Sequence, residues 1–437
     1  MGRIASKFGG TSVADANQFR KIRDIVTADP RRRVIVPSAP GKRHKEDPKV
    51  TDLLYLCHEM AVAKTGFVTP FNQLRDRFLE IEKDLGVDAG MAAELATFHR
   101  EVEAGATRDF VASRGEYFSG RLMAAFLGAV FIDPADYVVM DAAGNVQPQS
   151  YAALGNAMAD ETKLYVMPGF YGRDLHGKVK TFSRGGSDIS GAIAARAVMA
   201  EMYENWTDVS GLLMADPRIV QNPCHMDQVT YREIRELSYM GASVFHDEAI
   251  LPVREAKIPI TIKNTNRPLD PGTVIVPKFT ESKYKIAGIA GKKHFSMINL
   301  EKSLMNKEVG FVHNVLGVLA MHGISFEHCP TSIDSMSVIV DDKQMEEKGE
   351  LVMEEIRRAV NPDKIELLGD LALIAVVGEE LVATVGMAAL VFDSLRDAGV
   401  NIRVINQGAS EMNIIIGVKE DDYEKAVRAL YAAFVKL

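Results

Sequence analysis

The chain of 437 residues is 47% hydrophobic and 25% charged, and its formal net charge is −8. This length predicts two or three domains, and the composition is typical of a soluble globular protein. The acidic balance argues against a nucleic-acid-binding protein, which normally carries a basic surface. No apolar run has the length that a membrane span requires, and the first residues do not follow the pattern of a signal peptide.

Cysteine and histidine usage indicates neither a disulfide framework nor a metal centre built by the protein. The three cysteines, Cys57, Cys224 and Cys329, lie far apart, and an odd number is a poor set for disulfides. The ten histidines form no H-E-x-x-H motif or paired cluster. We therefore expect reduced thiols in a cytoplasmic protein and no dedicated metal site.

The first strand leads into a glycine turn. Ile4–Phe8 predicts a strand, Gly9 and Gly10 follow it, and apolar residues from Phe19 onward recur at helical spacing. Backbone N–H groups of such a turn, with the positive end of the helix, can bind phosphate, and Lys7 adds a mobile cation. An ordinary strand–helix turn with an exposed lysine explains this stretch equally well. No G-x-G-x-x-G motif follows the strand, which argues against a dinucleotide-binding dehydrogenase.

The next elements predict a second strand, a loop and a group of helices. Residues 34–36, within a strand predicted to begin at Arg32, form a continuous apolar run that is typical of a strand covered on both faces, and the charged residues 41–49 predict a loop. A helix is predicted to start with Thr51 as its cap. Residues 67–110 predict an all-helical excursion from the sheet, and residues 114–119 are predicted to precede a further helix.

A second strand–glycine–helix element spans Val179–Ser190. It carries Arg184, which suits two-pronged recognition of a carboxylate, and Asp188. Asp188 can cap the helix, bind an ammonium group, or do both, and a plain N-cap is the ordinary local interpretation. Two turn signatures with the only tryptophan between residues 204 and 218 indicate either a loop at a ligand site or a solvent loop. Residues 258–264 predict a strand that closes this first domain.

The alternation of strands and helices predicts a mainly parallel sheet covered by helices on both faces. Right-handed crossovers would place the glycine turns at one edge of that sheet. We therefore expect Lys7, Ser38, Arg184 and Thr207 to converge, although they are far apart in sequence.

The last third of the chain contains an internal duplication. Residues 309–325 resemble residues 385–401 with a constant spacing of 76, which also relates Met336 to Met412. Each copy predicts a small α+β module, and residues 285–291 predict an extra strand, so that one module is inserted in the other. Two such modules suggest the sensing of a small molecule. A structural dimerisation unit is the alternative, and both can hold.

Together, Lys7–Ser12, Phe182–Asp188 and Trp206–Arg218 resemble aspartate kinase, and the duplicated tail resembles its paired ACT domains. The resemblance covers essentially the whole chain. It implies an α/β amino-acid-kinase fold followed by two ferredoxin-like ACT domains. The implied boundaries are 1–283 for the kinase domain, 295–369 for the first ACT domain, and 284–294 plus 370–437 for the second.

The implied activity is phosphorylation of the side-chain carboxylate of L-aspartate by MgATP, which gives 4-phospho-L-aspartate for lysine, threonine and methionine synthesis. Lys7 would bind the transferring phosphate, Arg184 would hold the α-carboxylate of aspartate, and Glu116 and Asp188 would receive its α-ammonium group. The nucleophile is an ionised carboxylate, so no general base is needed. Magnesium would be carried mainly by the nucleotide phosphates.

The resemblance implies three sets of site residues, with Lys7 and Asp188 as the catalytic pair. The aspartate-binding residues would be Ser38, Thr51, Glu116, Phe170, Arg184 and Ser187. The ATP-binding residues would be Lys7, Gly9, Gly10, Ser12, Thr207, Asp208 and Arg218. The effector-binding residues would be Met305, Glu308, Gly310, Val312, Ser325, Phe326, Glu327, Thr331 and Ser332.

The chain departs from the family pattern at two positions. Leu213 stands where many members carry a tyrosine near the nucleotide base, and Ser243 stands where many carry a lysine. One expected nucleotide contact and one expected cation are therefore missing.

Regulation is expected to be feedback inhibition by L-lysine, whose ε-ammonium group suits Glu308 and Glu327, with threonine as the competing effector. Pairing of ACT modules across protomers predicts a homodimer or a dimer of dimers. Another amino-acid kinase, acting on glutamate, is the nearest alternative function. A non-catalytic amino-acid sensor is the alternative from a different class.

Overall fold

The computed structural model describes residues 2–183, 185–242, 247–278, 283–382, 384–408 and 410–435, with only the backbone of residues 247 and 248. The chain forms two compact units. The first comprises Met1–Leu212, His225–Ile234 and Val244–Thr280, and the second comprises Leu213–Cys224, Arg235–Ser243 and Glu281–Leu437. None of the described helices combines the length and the apolar character needed to cross a membrane.

The strands of the first unit form one large sheet and one small sheet. They are β1 Ile4–Phe8, β2 Arg32–Pro37, β3 Val130–Phe131, β4 Val139–Met140, β5 Tyr165–Val166, β6 Tyr171–Asp174, β7 Val179–Thr181, β8 Met202–Thr207, β9 Gln228–Thr230, β10 Ile260–Asn264 and β11 Thr273–Val276. The large sheet has the order β3-β5-β2-β1-β8-β10-β11-β9, and the small sheet has the order β4-β6-β7.

The helices of this part of the chain include the predicted helical excursion. They are α1 Ala16–Ala28, α2 Val50–Val62, α3 Val68–Leu85, α4 Met91–Glu103, α5 Arg108–Leu127, α6 Pro134–Tyr137, α7 Gln149–Ala157, α8 Gly186–Ala197, α9 Tyr231–Tyr239 and α10 Leu251–Glu255. α3 and α4 fill the predicted range 67–110, where Phe78 and Phe98 pack on Phe118 of α5 with ring centroids 5.3 and 5.8 Å away.

The centre of the large sheet is β1, which pairs in parallel with β2 on one side and β8 on the other. All five residues of β1 are buried, as expected of a strand covered on both faces. Phe8 stacks on Trp206 of β8 with ring centroids 6.0 Å apart. Because these strands are parallel, their carboxyl ends lie at one edge of the sheet, where ligands of open α/β sheets bind. The predicted α/β class, with β1, β2 and a loop over residues 41–49, is confirmed.

Three sequence-based boundaries were wrong. Residues 114–119 do not precede a helix but lie inside α5, which starts after Thr107 caps it through the N–H of Phe110. β7 belongs to the small sheet, where it pairs antiparallel with β6, so the second glycine turn does not follow a strand of the large sheet. β10 does not close the first domain, because β11 follows it in the same unit and extends the large sheet. Local periodicity does not show which strands become neighbours, and this explains the last two errors.

The second unit contains one antiparallel sheet and the last five helices. Its strands are β12 Gly288–Glu301, β13 Ser335–Asp341, β14 Lys364–Val377, β15 Val404–Asn406 and β16 Asn413–Lys419, in the order β13-β12-β14-β16-β15. Its helices are α11 Phe311–Met321, α12 Asp342–Met345, α13 Gly349–Val360, α14 Met387–Asp397 and α15 Tyr423–Val435.

The two repeats share the long strands β12 and β14. The predicted separate strand at 285–291 was wrong, because Gly288 already starts the continuous strand β12. The pairing of β12 with β14 shifts register between Lys292 and Met297, near the middle of β12. α11 and α14 begin 76 residues apart, behind Gly310 and Gly386, whose φ angles of 86° and 91° match. The duplication read from the sequence is therefore present in the fold.

Candidate active site

The ammonium group of Lys7 is the centre of a buried polar cluster. Lys7 is the penultimate residue of β1 and is 7% exposed. Its Nζ lies 2.5 Å from Oδ1 of Asp188 and 3.4 Å from Oδ1 of Asn205. The amide Nδ2 of Asn205 donates to the same Asp188 oxygen at 3.2 Å. An ion pair therefore joins β1, which leads into the first glycine turn, to α8, which follows the second glycine turn.

Asp188 reaches this cluster from the first turn of α8. The N-cap of α8 is Gly185, whose φ of 57° lies in the left-handed region that favours glycine. Asp188 is the third residue of the helix, so the local interpretation of Asp188 as the N-cap was wrong. Its carboxylate still lies in the first turn, where the helix dipole stabilises negative charge.

The turn after β1 is held from two sides by backbone contacts. The N–H of Gly9 donates to the carbonyl of Trp206 at 2.9 Å, and the carbonyl of Gly10 accepts from the N–H of Gly41 at 2.8 Å. Ser12 is 1% exposed, and its hydroxyl lies 2.7 Å from that of Thr265. The Ser12 side chain thus fixes the turn, while the backbone of the two glycines lies beside Lys7.

The loop after β2 adjoins the same edge of the sheet. The N–H of Ser38 donates to the carbonyl of Phe8 at 3.0 Å, and the Ser38 side chain is buried. Thr51 is half-buried and is the second residue of α2, whose N-cap is Lys49. The prediction of Thr51 as the cap was therefore wrong by two positions, an error typical of helix ends.

A buried carboxyl group lies next to this loop. Glu116 of α5 is 6% exposed, its Oε1 accepts from the Ser187 hydroxyl at 3.5 Å, and its Oε2 has no hydrogen-bond partner among the described residues. Burial raises the pKa of Glu116 to about 8, although hydrogen bonds from the backbone of Ala39 and from Ser187 offset part of that effect. The site therefore contains a carboxyl group that lacks a cation among the described residues.

Phe170, a residue predicted to bind aspartate, is anchored on the start of α8. Its φ of 77° is rare for a residue with a large side chain, and its N–H donates to the hydroxyl of Ser190 at 2.9 Å. The same N–H also donates to the carbonyl of Gly186 at 3.2 Å. A strained residue anchored on the first turns of α8 is a feature often found at functional sites.

The predicted nucleotide residues do not all lie in one unit. Thr207 ends β8 and Asp208 follows it, and the Thr207 hydroxyl donates to the Asp208 carboxylate at 3.3 Å. Arg218 lies in the second unit, where it forms an exposed ion pair with Asp216. Leu213 is half-buried in the second unit. Arg184 and Ser243 lie outside the described residues.

The sequence analysis missed three groups that shape the site. Asn205 contacts both Lys7 and Asp188, Thr265 holds Ser12, and Ala39 contacts the carboxyl group of Glu116. Asn205 lies beside Glu204 in β8, between the aromatic residues Tyr203 and Trp206, and polar residues in such a strand are a signal that could have been noted. The other two act across long sequence separations and leave no local signal.

The predicted effector residues surround α11 and β13. Met305, Glu308 and Gly310 lie in the turn before α11, and this turn contacts the segment of Thr331 and Ser332 through the N–H of Asn306, which donates to the carbonyl of Ile333 at 3.1 Å. Met305 is buried, whereas Glu308 is exposed and forms an ion pair with Lys302.

The remaining predicted effector residues also lie in surface segments. Ser325 hydrogen-bonds to the side chain of Gln344, and the N–H of Glu327 donates to the carbonyl of Ile339 at 2.8 Å. Phe326 is 43% exposed, and Val312 is half-buried on α11. Most of these side chains are thus at least partly open to solvent.

Known proteins share this architecture. Residues 2–264 match the model of the amino acid kinase family, and residues 374–434 match an ACT domain model. The chain is 40% identical to aspartokinase 3 of Bacillus subtilis (strain 168), with 98% of each chain covered. The structure resembles that of Clostridium acetobutylicum aspartate kinase with a TM-score of 0.92 and 46% identity, covering 99% of this chain and 100% of that chain.

Escherichia coli aspartokinase III is a more distant neighbour, 27% identical, with 99% of each chain covered. Its complex with lysine and aspartate, in the T-state, gives a TM-score of 0.77, and its complex with aspartate and ADP, in the R-state, gives 0.73. A family model spans more than half of the chain, and a relative 40% identical covers nearly all of it. The chain therefore belongs to the aspartokinase family.

Proposed function

We propose that the cluster of Lys7, Asp188 and Asn205 positions the transferring phosphoryl group in an aspartate kinase. As a member of its family, the chain phosphorylates aspartate with ATP and is under allosteric feedback control through ACT domains. The observation that carries our assignment is the buried Lys7 ammonium group, 2.5 Å from Asp188 beside the turn of Gly9 and Gly10. A cation beside a backbone turn that carries N–H groups suits the γ-phosphoryl group.

The chemical step is an in-line displacement. An oxygen of the aspartate side-chain carboxylate attacks the γ-phosphorus, the bond to the bridging oxygen of ATP breaks, and ADP leaves with that electron pair. Lys7 neutralises charge on the phosphoryl oxygens, and Asp188 with Asn205 holds the Lys7 side chain in position. Since the nucleophile is already ionised, the protein contributes alignment and charge compensation.

We assign the α-ammonium group of aspartate to Glu116. A buried carboxyl oxygen without a partner among the described residues is a costly feature unless a ligand completes it. Asp188 is the second candidate for this ammonium group. The other proposed aspartate contacts are Ser38, Thr51, Phe170, Arg184 and Ser187, with the α-carboxylate assigned to Arg184.

ATP is proposed to lie along the carboxyl ends of β1 and β8. Gly10 would contact phosphate through its backbone N–H, whereas the N–H of Gly9 donates to the carbonyl of Trp206 at 2.9 Å, so Gly9 would only allow phosphate a close approach to the backbone. Ser12 would shape the turn through its contact with Thr265. Nucleotide contacts are also proposed for Thr207, Asp208 and Arg218. The substrate is MgATP, with Mg²⁺ held mainly by phosphate oxygens.

The proposed effector is L-lysine, bound by the effector residues of the first ACT domain. Glu308 already forms an ion pair with an ammonium group, that of Lys302, so its carboxylate can accept the ε-ammonium of a free lysine. The E. coli relative has been crystallised with lysine. Threonine is the alternative effector.

We further propose the domain limits 1–283, 295–369, and 284–294 plus 370–437, with a homodimer or dimer of dimers formed through ACT domains. Support for the inserted arrangement comes from the register shift of β12 and β14 between Lys292 and Met297, which lies at the proposed boundary.

The deciding experiment is an ADP-release assay with the full chain, MgATP and either L-aspartate or L-glutamate, with and without L-lysine. We expect turnover with aspartate only and inhibition by lysine. Turnover with glutamate would show a different amino-acid kinase. Lysine binding without any turnover would show a non-catalytic sensor.

A further inference from the structure

The helical excursion contains a buried arginine, Arg77, next to the loops of the candidate active site. Arg77 of α3 is 4% exposed, which is unusual for an arginine. Among the described residues, its guanidinium group contacts no side chain that is proposed to bind aspartate or ATP. It contacts the loops that carry those side chains instead. Three carbonyl oxygens and one carboxylate surround it.

These four contacts come from two loops. Arg77 Nη2 donates to the carbonyl of Ala14 at 3.2 Å and to that of Gly41, and Nη1 donates to the carbonyl of Pro48 at 3.1 Å. Nη1 also lies 3.0 Å from Oδ2 of Asp47, which is as buried as Arg77 itself. Ala14 ends the turn that follows β1, whereas Gly41 and Pro48 lie near the two ends of the loop that follows β2.

The two loops meet at the point where Arg77 binds them. The N–H of Gly41 donates to the carbonyl of Gly10 at 2.8 Å, so the turn at residues 9–14, the proposed phosphate turn, and the loop that begins at Ser38 are in direct backbone contact. Asp47 is held a second time by Arg43, and this contact keeps the pKa of the Asp47 carboxyl well below its usual range. Arg43 in turn pairs with Glu80 of α3.

We infer that Arg77 is a positioning residue for phosphoryl transfer, which fixes the turn at Gly9–Ala14 relative to the loop at residues 38–49. This inference rests on the proposed function, because that turn is assigned to ATP phosphate and that loop to aspartate. A planar guanidinium can serve several oxygens in fixed directions, whereas a lysine ammonium is a point charge on a flexible stem. A displacement of one substrate by about 1 Å can cost on the order of 10²-fold in rate.

The test compares Arg77→Ala and Arg77→Lys with the wild-type full chain in the ADP-release assay. We expect kcat to fall on the order of 10²-fold in R77A, and at least tenfold in R77K, while the KM values for ATP and aspartate change less than threefold. Each substrate keeps its own contacts, and only their mutual alignment is lost. Added guanidinium ion at low millimolar concentration is expected to raise the kcat of R77A at least fivefold. Urea at the same concentration is expected to leave it unchanged.

Arg75→Ala is the matched control, because Arg75 lies on the same helix in an exposed pair with Asp76. It is expected to keep kcat within twofold. Circular dichroism and thermal melting establish that the variants are folded, and R77K serves if R77A does not fold. Wild-type kcat in R77K, or a folded R77A within threefold of wild type, would overturn the inference while leaving the proposed function intact. An inactive wild type would instead overturn the proposed function and this inference with it.

Discussion

At the scale of single residues, two buried ionisable groups support the proposed chemistry. The ammonium of Lys7 and the carboxyl of Glu116 are both less than a tenth exposed, yet their surroundings differ. Lys7 is matched by Asp188 at 2.5 Å and is held ready as a cation. Glu116 has hydrogen bonds but no cation among the described residues, and burial raises its pKa. The first arrangement suits a phosphate and the second suits an ammonium group.

Lys7→Ala is expected to lower kcat by about 10²–10³, the usual cost of losing one group that stabilises transition-state charge. Asp188 keeps its hydrogen bond from Asn205, so the variant should still fold. The measurement is kcat from ADP release, with a thermal melt as the check on folding. Lys163→Ala, which removes an exposed lysine paired with Asp160, should leave kcat unchanged. Near-normal turnover in K7A would refute the assignment of Lys7.

The raised pKa of Glu116 predicts an affinity for aspartate that depends on pH. Its pKa of about 8 means that the free enzyme at pH 7 carries mostly the neutral acid, whereas an ammonium ligand requires the carboxylate. Binding must therefore release a proton below pH 8. The KM for aspartate should fall as pH rises from 6 to 8, by up to about tenfold per pH unit, and level off above pH 8.

The check is the KM for aspartate measured between pH 6 and 9 in wild type and Glu116→Gln. The glutamine variant should show a raised KM that no longer varies over this range. Glu101→Gln, at an exposed position of α4, should behave as wild type. An identical pH dependence in E116Q and wild type would assign the ammonium group to another residue, with Asp188 as the next candidate.

At the scale of elements, the site is built by carboxyl ends of parallel strands and by the loops that leave them. β1, β2 and β8 end in register, so that Phe8 pairs with Pro37 and with Trp206. The loops after these strands are consequently in contact. Gly10 and Gly41 approach closely, since an added Cβ on Gly41 would lie 2.6 Å from the carbonyl carbon of Gly10.

Gly41→Ala should therefore separate the phosphate turn from the loop after β2. The clash is with backbone atoms, which cannot move aside as a flexible side chain can. We expect kcat to fall at least tenfold and the free energy of unfolding to fall by about 1–3 kcal/mol, the usual cost of overpacking. Kinetics and urea unfolding measure both.

Gly317→Ala is the control for this change. Gly317 lies in α11, and a Cβ there meets no atom within 4 Å. An alanine in a helix interior is favoured over glycine by up to about 1 kcal/mol, so this variant should be unaltered or slightly stabilised with kcat unchanged. If G41A matched G317A in activity, the contact between the two loops would have no catalytic importance.

At the scale of the whole molecule, feedback control requires that effector and substrate binding be coupled. If lysine weakens aspartate binding by some factor, aspartate must weaken lysine binding by the same factor. Couplings of this kind are commonly about 5–150-fold. Calorimetric titration of the full chain with lysine, with and without saturating aspartate, measures the factor directly.

Glu308→Gln should weaken lysine binding and leave kcat without lysine unchanged, because it removes the charge proposed to meet the ε-ammonium group. Glu347→Gln, at an exposed position after α12, is the matched control and should bind lysine normally. An affinity for lysine that aspartate does not change would remove the proposed feedback by lysine. Preferential binding of threonine would show that threonine, and not lysine, is the effector.

The sequence predicted best those features that a short stretch of residues determines by itself. Ile4–Phe8, the helix that buries Phe19, and the 76-residue repeat behind Gly310 were all readable, because strand burial, helical spacing and a left-handed glycine leave local signals. It failed where pairing between distant segments decides. β7 reads as a sheet strand, but its partner β6 places it in the small sheet.

By itself, then, the sequence determined the fold class, the order of most elements, and the candidate residues for phosphate and amino-acid binding. Only the tertiary structure decided which of them meet. The ion pair of Lys7 with Asp188, the contact of Ser187 with Glu116 and the contacts of the Arg77 guanidinium with two loops each join segments that are far apart in the chain. Such contacts depend on strand order and packing, which are global properties, and no local stretch of sequence encodes them.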